Sequence, residues 1–245
     1  DQTVDLSAGI GIACWPGDAE DADMLLSRSE IAMYAAKRKL SGALRYDAAI
    51  DSSSAQNLSL LTELRRAVER NELRLYLQPK VPLHGQSGCA AEALVRWQHP
   101  QRGLVLPGEF IPLAEETGWI LLMGLWALEH ACNQLTLWAN DPLTRELQIA
   151  VNISPRQFRQ VDFVNQLQQA LSSSGANPAR LKLELTESLV LEDVEDTIKK
   201  MLAIRQLGVK FAMDDFGTGY SSLAYLAQLP LDQLKIDRSF VLNLP

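Results

Sequence analysis

The sequence predicts an α/β fold in two unequal pieces. A small β-α-β segment comes first, and a longer series of βα units follows, of the kind that builds an open doubly wound sheet or a (β/α) barrel. Three observations predict it. Short apolar runs alternate with helical patterns from residue 73 onward. The later runs recur roughly every 30 residues, the length of a βα repeat. Five of the runs also carry a charged or amide side chain on the face opposite their larger apolar residues.

Residues 4–14 alternate around small residues and predict a strand, and Trp15-Pro16-Gly17-Asp18 a turn. Residues 21–39 predict a helix, with Met24, Leu25, Ile31, Ala32, Ala35 and Ala36 at helical spacings. Gly42 ends it, and Leu44–Tyr46 forms a short closing strand. About 45 residues make a poor core alone, so this piece is expected to pack on something else or to end a larger domain. Residues 47–59 lack periodicity and read as a linker. They enter a helix over about 60–70, striped by Leu61, Leu64 and Val68. Strands are then expected at 73–78, 90–97, 147–153, 181–186, 209–214 and 233–237, and helices at 119–139, 161–173, 194–206 and 220–227. The interval 97–147 holds two helical stretches and no convincing strand.

Composition narrows the function. The 245 residues are 47% hydrophobic and 22% charged, as in ordinary folded chains. The net charge of −7 disfavours non-specific contact with DNA or an anionic membrane. An anionic ligand remains compatible, because a metal ion reverses the local sign. Cys14, Cys89 and Cys132 form no CxxC pair, which argues against a thiolate zinc site and for a reducing, cytoplasmic compartment. No run of 18 apolar residues is present, so no membrane contact is expected in this segment; a larger parent protein at the inner membrane stays open.

The strand faces carry the chemistry. Ile149, Val151 and Ile153 oppose Gln148, Ala150 and Asn152; Leu181, Leu183 and Leu185 oppose Lys182, Glu184 and Thr186. Val209, Phe211 and Met213 oppose Lys210, Ala212 and Asp214; Leu234 and Ile236 oppose Lys235 and Asp237. Ala93, Val95 and Trp97 oppose Glu92, Leu94 and Arg96. In a barrel, Glu92, Asn152, Glu184, Asp214 and Lys235 would converge near the C-terminal strand ends, where such barrels do chemistry. Three carboxylates, an amide oxygen and the adjacent Asp215 make a hard oxygen-donor set suited to magnesium, manganese or calcium. Such a set supports attack of an ion-activated water on a phosphodiester. Lys235 can then hold the water and Arg96 meet a phosphate oxygen.

Residues 58–245 resemble the EAL family of cyclic di-GMP phosphodiesterases. Glu92-Ala93-Leu94 matches the signature triplet. LYLQP at 75–79, PGEFIPLAEETG at 107–118, VNIS at 151–154, LELTES at 183–188, DDFGTGYSSLAYL at 214–226 and LKIDRSFV at 234–241 follow in family order. The resemblance implies a TIM-like (β/α) barrel that uses Mg2+ or Mn2+ to linearise cyclic di-GMP to pGpG. By resemblance, Glu92, Asn152, Glu184 and Asp214 are ligands of a first ion and Asp215 of a second. Lys235 contacts the catalytic water, and Gln78, Arg96 and Asp237 contact the dinucleotide. Glu187 steadies the loop 216–221, through which two such domains pair as a homodimer.

The departures from the family are specific. Its next two strands, with an AEGVE-like motif and a QGY-like motif, are absent from this sequence, so the barrel is expected to be truncated before them. A polypeptide ending at Pro245 is expected to fold poorly and hydrolyse almost nothing. Residues 1–46 resemble the end of a GGDEF diguanylate cyclase domain, through SAGIGIACWP at 7–16 and SEIAMYAAK at 29–37, with Ser29 and Glu30 replacing the usual Ala-Asp. The cyclase loop is missing, so no cyclase activity is expected here, but a tandem GGDEF-EAL parent is. The domains are then 1–46, a linker 47–59 and the EAL domain 60–245. Two rivals to an enzyme are a receptor that binds cyclic di-GMP without cleaving it and a dimerisation domain with no ligand. His84, His99 and His130 share no metal spacing, Gly9 and Gly11 make only a lone GxG, and Glu192–Asp196 reads as a helix cap.

Overall fold

The computed structural model describes residues 8–39, 42–48, 60, 63–81, 90–187, 189, 193–217, 226 and 228–241. The chain divides into two units, Asp1–Glu63 and Leu64–Pro245.

In the first unit, β1 (Ile10–Ile12) and β2 (Ala43–Arg45) pair in parallel, with Gly11 opposite Leu44. Helix α1 (Ala22–Lys39) connects them and buries Ala32 and Ala36 completely. Gly11 is needed for packing: a Cβ there would lie 1.9 Å from the Ser29 carbonyl oxygen and 2.3 Å from the Met33 amide nitrogen. The Asp18 carboxylate accepts from the Cys14 amide at 2.7 Å and pairs with Arg45, tying the turn to β2. The expected strand 4–14 is a strand at 10–12; residues 1–7 and linker residues 49–59 lie outside the described set.

The second unit is a seven-stranded sheet in the order β3-β4-β6-β7-β8-β9, with β5 on β4. Its strands are β3 (Leu73–Lys80), β4 (Ala90–His99), β5 (Gly103–Val105), β6 (Gln148–Asn152), β7 (Leu181–Thr186), β8 (Lys210–Phe216) and β9 (Gln233–Ile236). From β4 through β6, β7, β8 and β9 the pairing is parallel, as the repeat spacing predicts. Two features differ from the sequence reading. β3 runs antiparallel to β4, because the few residues between them are too short for a crossover helix. β5 is a further antiparallel strand in the interval read as strand-free; with three residues it is too short to show an alternation.

Among the described residues, helices α2 (Pro107–Thr117), α3 (Ile120–Ala139), α4 (Pro155–Phe158), α5 (Phe163–Ser174) and α6 (Val194–Gln206) lie between these strands. Residues 63–67 are also helical. Pro107 opens α2, where a missing amide costs nothing, and Gly118 ends it at φ +83°. Asp193 caps α6 by accepting from the Asp196 amide at 3.1 Å; Glu192, part of the same acidic run, lies outside the described residues. The face opposite the polar side chains is the core: Ile149, Leu181, Leu183, Leu185 and Phe211 are fully buried. Each such side chain contributes about 1.5–3 kcal/mol, which fixes the register and so fixes which residues face the other way.

Candidate active site

Asn152 ends β6, and the β6–β7 register sets it level with Glu184. Asp214 stands opposite Thr186, one pleat further along β7. Lys235 reaches the same place from β9, and Glu92 from β4. Glu92 is not near the C-terminal end of its strand, as the sequence reading has it. It is the third residue of β4, which continues to His99 because β3 and β5 extend its pairing. Ala150 and Ala212, small and buried on the same face, leave the volume that these longer side chains fill.

The carboxylates of Glu92, Glu184 and Asp214 each present an oxygen within 4.8 Å of the other two. The Lys235 ammonium sits among them and donates to Glu184 Oε2 at 2.6 Å, Asp214 Oδ2 at 2.8 Å and Glu92 Oε2 at 3.1 Å. The Asn152 amide donates to Glu92 Oε1 at 2.9 Å. A second ammonium, which the sequence reading missed, joins the group: Lys80 donates to Glu184 Oε1 and lies 3.2 Å from Glu92 Oε2. Its signal was available, since Lys80 follows Gln78 by two residues and therefore shares its strand face. Lys182, placed on the polar strand face but given no role, donates to Gln233 Oε1 at 2.7 Å.

These contacts set the charges. Burial by itself raises the pKa of Glu92, but the Asn152 hydrogen bond and the Lys235 charge outweigh it and hold the carboxyl below its ordinary value. Burial works against the Lys235 ammonium, yet its hydrogen bonds to Asp214 and Glu184 drive its pKa well above the ordinary lysine value. It keeps its proton and acts as a hydrogen-bond donor, neither acid nor base. Burial, with Lys80 nearby, pushes Lys182 down. Asp215 is pushed up, by partial burial first and then by Asp214 and Asp237.

Asp215 owes its place to an irregularity. Successive residues of a regular strand point to opposite faces, which would send Asp215 away from Asp214. The β8–β9 register shifts between Met213 and Phe216, and Asp215 takes φ +53°, a left-handed conformation that Asp tolerates better than most residues. Its amide donates to Asp214 Oδ1 at 3.0 Å. Just beyond, the Gly217 amide donates to the buried Glu187 at 2.9 Å. Gly217 takes φ +100°, a conformation that L side chains rarely adopt, which accounts for glycine there. The rest of the expected loop and helix, residues 218–225, falls outside the described residues.

Gln78 is directly opposite Glu92 across the β3–β4 pair, so their side chains share a face. Arg96 lies four residues along β4 on that face, its guanidinium 5.9 Å from the Tyr76 ring centre. Asp237 spends one carboxylate oxygen on the Ser239 amide at 2.8 Å. His99 is buried, its Nδ1 accepting from the amides of Gln101 and Arg102, and His130 stacks on Trp126; both are structural. His84 and Cys89 lie outside the described residues.

The donor set fits a hard divalent cation. It offers carboxylate oxygens and, after a rotation of its amide, the oxygen of Asn152, with no sulfur or imidazole among them. Lysine ammonium groups already hold the same oxygens, which shows that the cluster attracts positive charge.

Comparison with known proteins places this geometry. Residues 61–245 match the EAL domain family model, and the chain belongs to that family. It is 42% identical over 239 residues to the bifunctional diguanylate cyclase/cyclic di-GMP phosphodiesterase MucR of Pseudomonas aeruginosa, covering 97% of this chain and 35% of MucR. To the cyclic di-GMP phosphodiesterase NbdA of the same organism it is 36% identical over 245 residues, covering all of this chain and 31% of NbdA. The chain thus spans about a third of the length of the curated relatives it matches. Among solved structures, the PaMucR phosphodiesterase in complex with c-di-GMP superposes with a TM-score of 0.70 at 45% identity, over 75% of this chain and 74% of that one. No described helix is long and apolar enough to cross a membrane.

Proposed function

We propose that this chain carries the catalytic face of a metal-dependent phosphodiesterase that opens cyclic di-GMP to linear pGpG, within a tandem GGDEF-EAL signalling protein of the cytoplasm or the cytoplasmic side of the inner membrane. The convergence of Glu92, Glu184 and Asp214 around Lys235, in a chain of this family, carries the reading. The match to MucR extends over 239 residues, well beyond the EAL region, which supports the tandem arrangement.

Glu92, Asn152, Glu184 and Asp214 would hold a Mg2+ or Mn2+ ion, and Asp215 a second. An ion held by these residues would supply Lewis-acid polarisation of a phosphate oxygen and a lowered pKa for a neighbouring water. The protein's own groups do the rest. Lys235 would donate a hydrogen bond to the attacking water oxygen and orient it, through an N–H released when the ion takes over one of the three carboxylate oxygens it holds. Asp215, beside Asp214 at the end of β8, would take the water's proton. The hydroxyl goes to phosphorus, the P–O bond to one ribose 3′ oxygen breaks, and that departing oxygen takes a proton from solvent water while Asp215 returns the proton it accepted to solvent. Arg96 and Gln78 bind the dinucleotide along the β3–β4 face, Arg96 through a phosphate oxygen. Glu187 holds the backbone at Gly217, and so the loop through which two copies pair. Glu92→Ala should abolish formation of pGpG, followed by chromatography with saturating Mg2+ or Mn2+; unchanged turnover would refute the assignment.

A further inference from the structure

Lys80 has no part in the catalytic assignments above, yet it contacts two of the three carboxylates of the cluster. Its ammonium contacts Glu184 Oε1 and stands 3.2 Å from Glu92 Oε2. The Glu184 side chain is fully buried, and each of its oxygens holds a different lysine: Oε1 holds Lys80 and Oε2 holds Lys235 at 2.6 Å. Glu92 Oε2 is shared by the same two ammonium groups, at 3.1 and 3.2 Å. The remaining oxygens are also engaged, Glu92 Oε1 by Asn152 and Asp214 Oδ1 by the Asp215 amide. Three carboxylates therefore face two ammonium groups, and a divalent cation must compete with lysine for the oxygens it needs.

We propose that Lys80 is a tethered counter-ion of the cluster, which holds Glu92 and Glu184 in place and yields to the divalent cation, so that it sets how tightly the ion binds. Lys80 suits this part better than Lys235. It comes from the end of β3, from the side opposite β9, and contacts two of the carboxylates where Lys235 contacts three. A flexible stem lets the ammonium withdraw while its charge remains nearby. Removing that charge leaves the carboxylates more negative, which raises affinity for a cation and lowers stability without one.

The inference rests on the reading of this cluster as an ion site, and the test separates the two. Mn2+ binding is measured by calorimetry and electron paramagnetic resonance on the intact protein without nucleotide, and thermal unfolding is followed in chelator. Lys80→Met should bind Mn2+ about tenfold more tightly and unfold at a lower temperature in chelator. Lys80→Arg, which keeps the charge, should stay near wild type in both. Should Lys80→Met fail to fold, Lys80→Gln carries the same expectations. Mn2+ affinity unchanged or weakened in a folded Lys80→Met or Lys80→Gln overturns the role of Lys80 and leaves the ion site standing. Wild-type Mn2+ binding that survives Glu184→Ala overturns both.

Discussion

At the scale of the residue, the site is a problem of charge. Glu184 is a fully buried carboxylate and is tolerated because two ammonium groups face its two oxygens. Breaking such a pair from one side leaves a charge uncompensated. Lys235→Met should therefore destabilise the metal-free protein by about 2–4 kcal/mol in urea denaturation, toward the lower end because the lysine retains some contact with water. Glu92 gives a pH signature. Its folded pKa lies below the ordinary 4.5, so its contribution to stability is complete above that value and is lost as pH falls through the depressed folded value. In chelator, unfolding free energy should drop on acidification below pH 4.5, and Glu92→Gln should make that drop shallower. A slope identical in the variant would show that other carboxylates account for it.

At the scale of the element, packing at single points decides geometry. Gly124, in the middle of α3, meets the side chain of Gln157 from α4; a Cβ there would lie 2.2 Å from Gln157 Oε1. Gln157 is buried, so it has little room to withdraw. Alanine in a helix gains about 1 kcal/mol over glycine, but overpacking costs about 1–3 kcal/mol. Gly124→Ala should thus be neutral to destabilising by up to 2 kcal/mol, with the balance read from denaturation midpoints; a clear stabilisation would mean that α4 moves aside freely. The segment affected follows Asn152 directly, so the same variant should perturb ion affinity as well.

At the scale of the whole second unit, Glu92, Asn152, Glu184, Asp214 and Lys235 come from five different strands, so a cation bound among them ties the sheet together. Binding to the folded state alone stabilises by mass action, about 2.7 kcal/mol at a hundred times Kd. Mn2+ at that level should raise the unfolding temperature of the wild type, and Glu184→Ala should erase the rise. An equal rise in the variant would place the ion elsewhere.

The sequence by itself determined the parallel strands from β4 to β9, the apolar faces that bury Leu183 and Phe211, and the polar set on the opposite faces. Those are properties of period and composition, and period survives whatever the chain packs against. It also carried the signal for Lys80 and for the antiparallel β3–β4 pair, through a two-residue spacing and a short connection that the reading passed over. Tertiary structure alone decided the remainder. The short β5 strand exists because β4 offers it an edge. Glu92 can serve the site from near the start of its strand because the register pairs it with Ala150, two residues before Asn152, within reach of the Asn152 amide. Asp215 turns beside Asp214 through a bulge that no local propensity dictates. How far Lys80, Lys235 and three carboxylates neutralise one another depends on distances of a few ångströms between residues more than a hundred positions apart, and electrostatic energy follows separation in space, not separation along the chain.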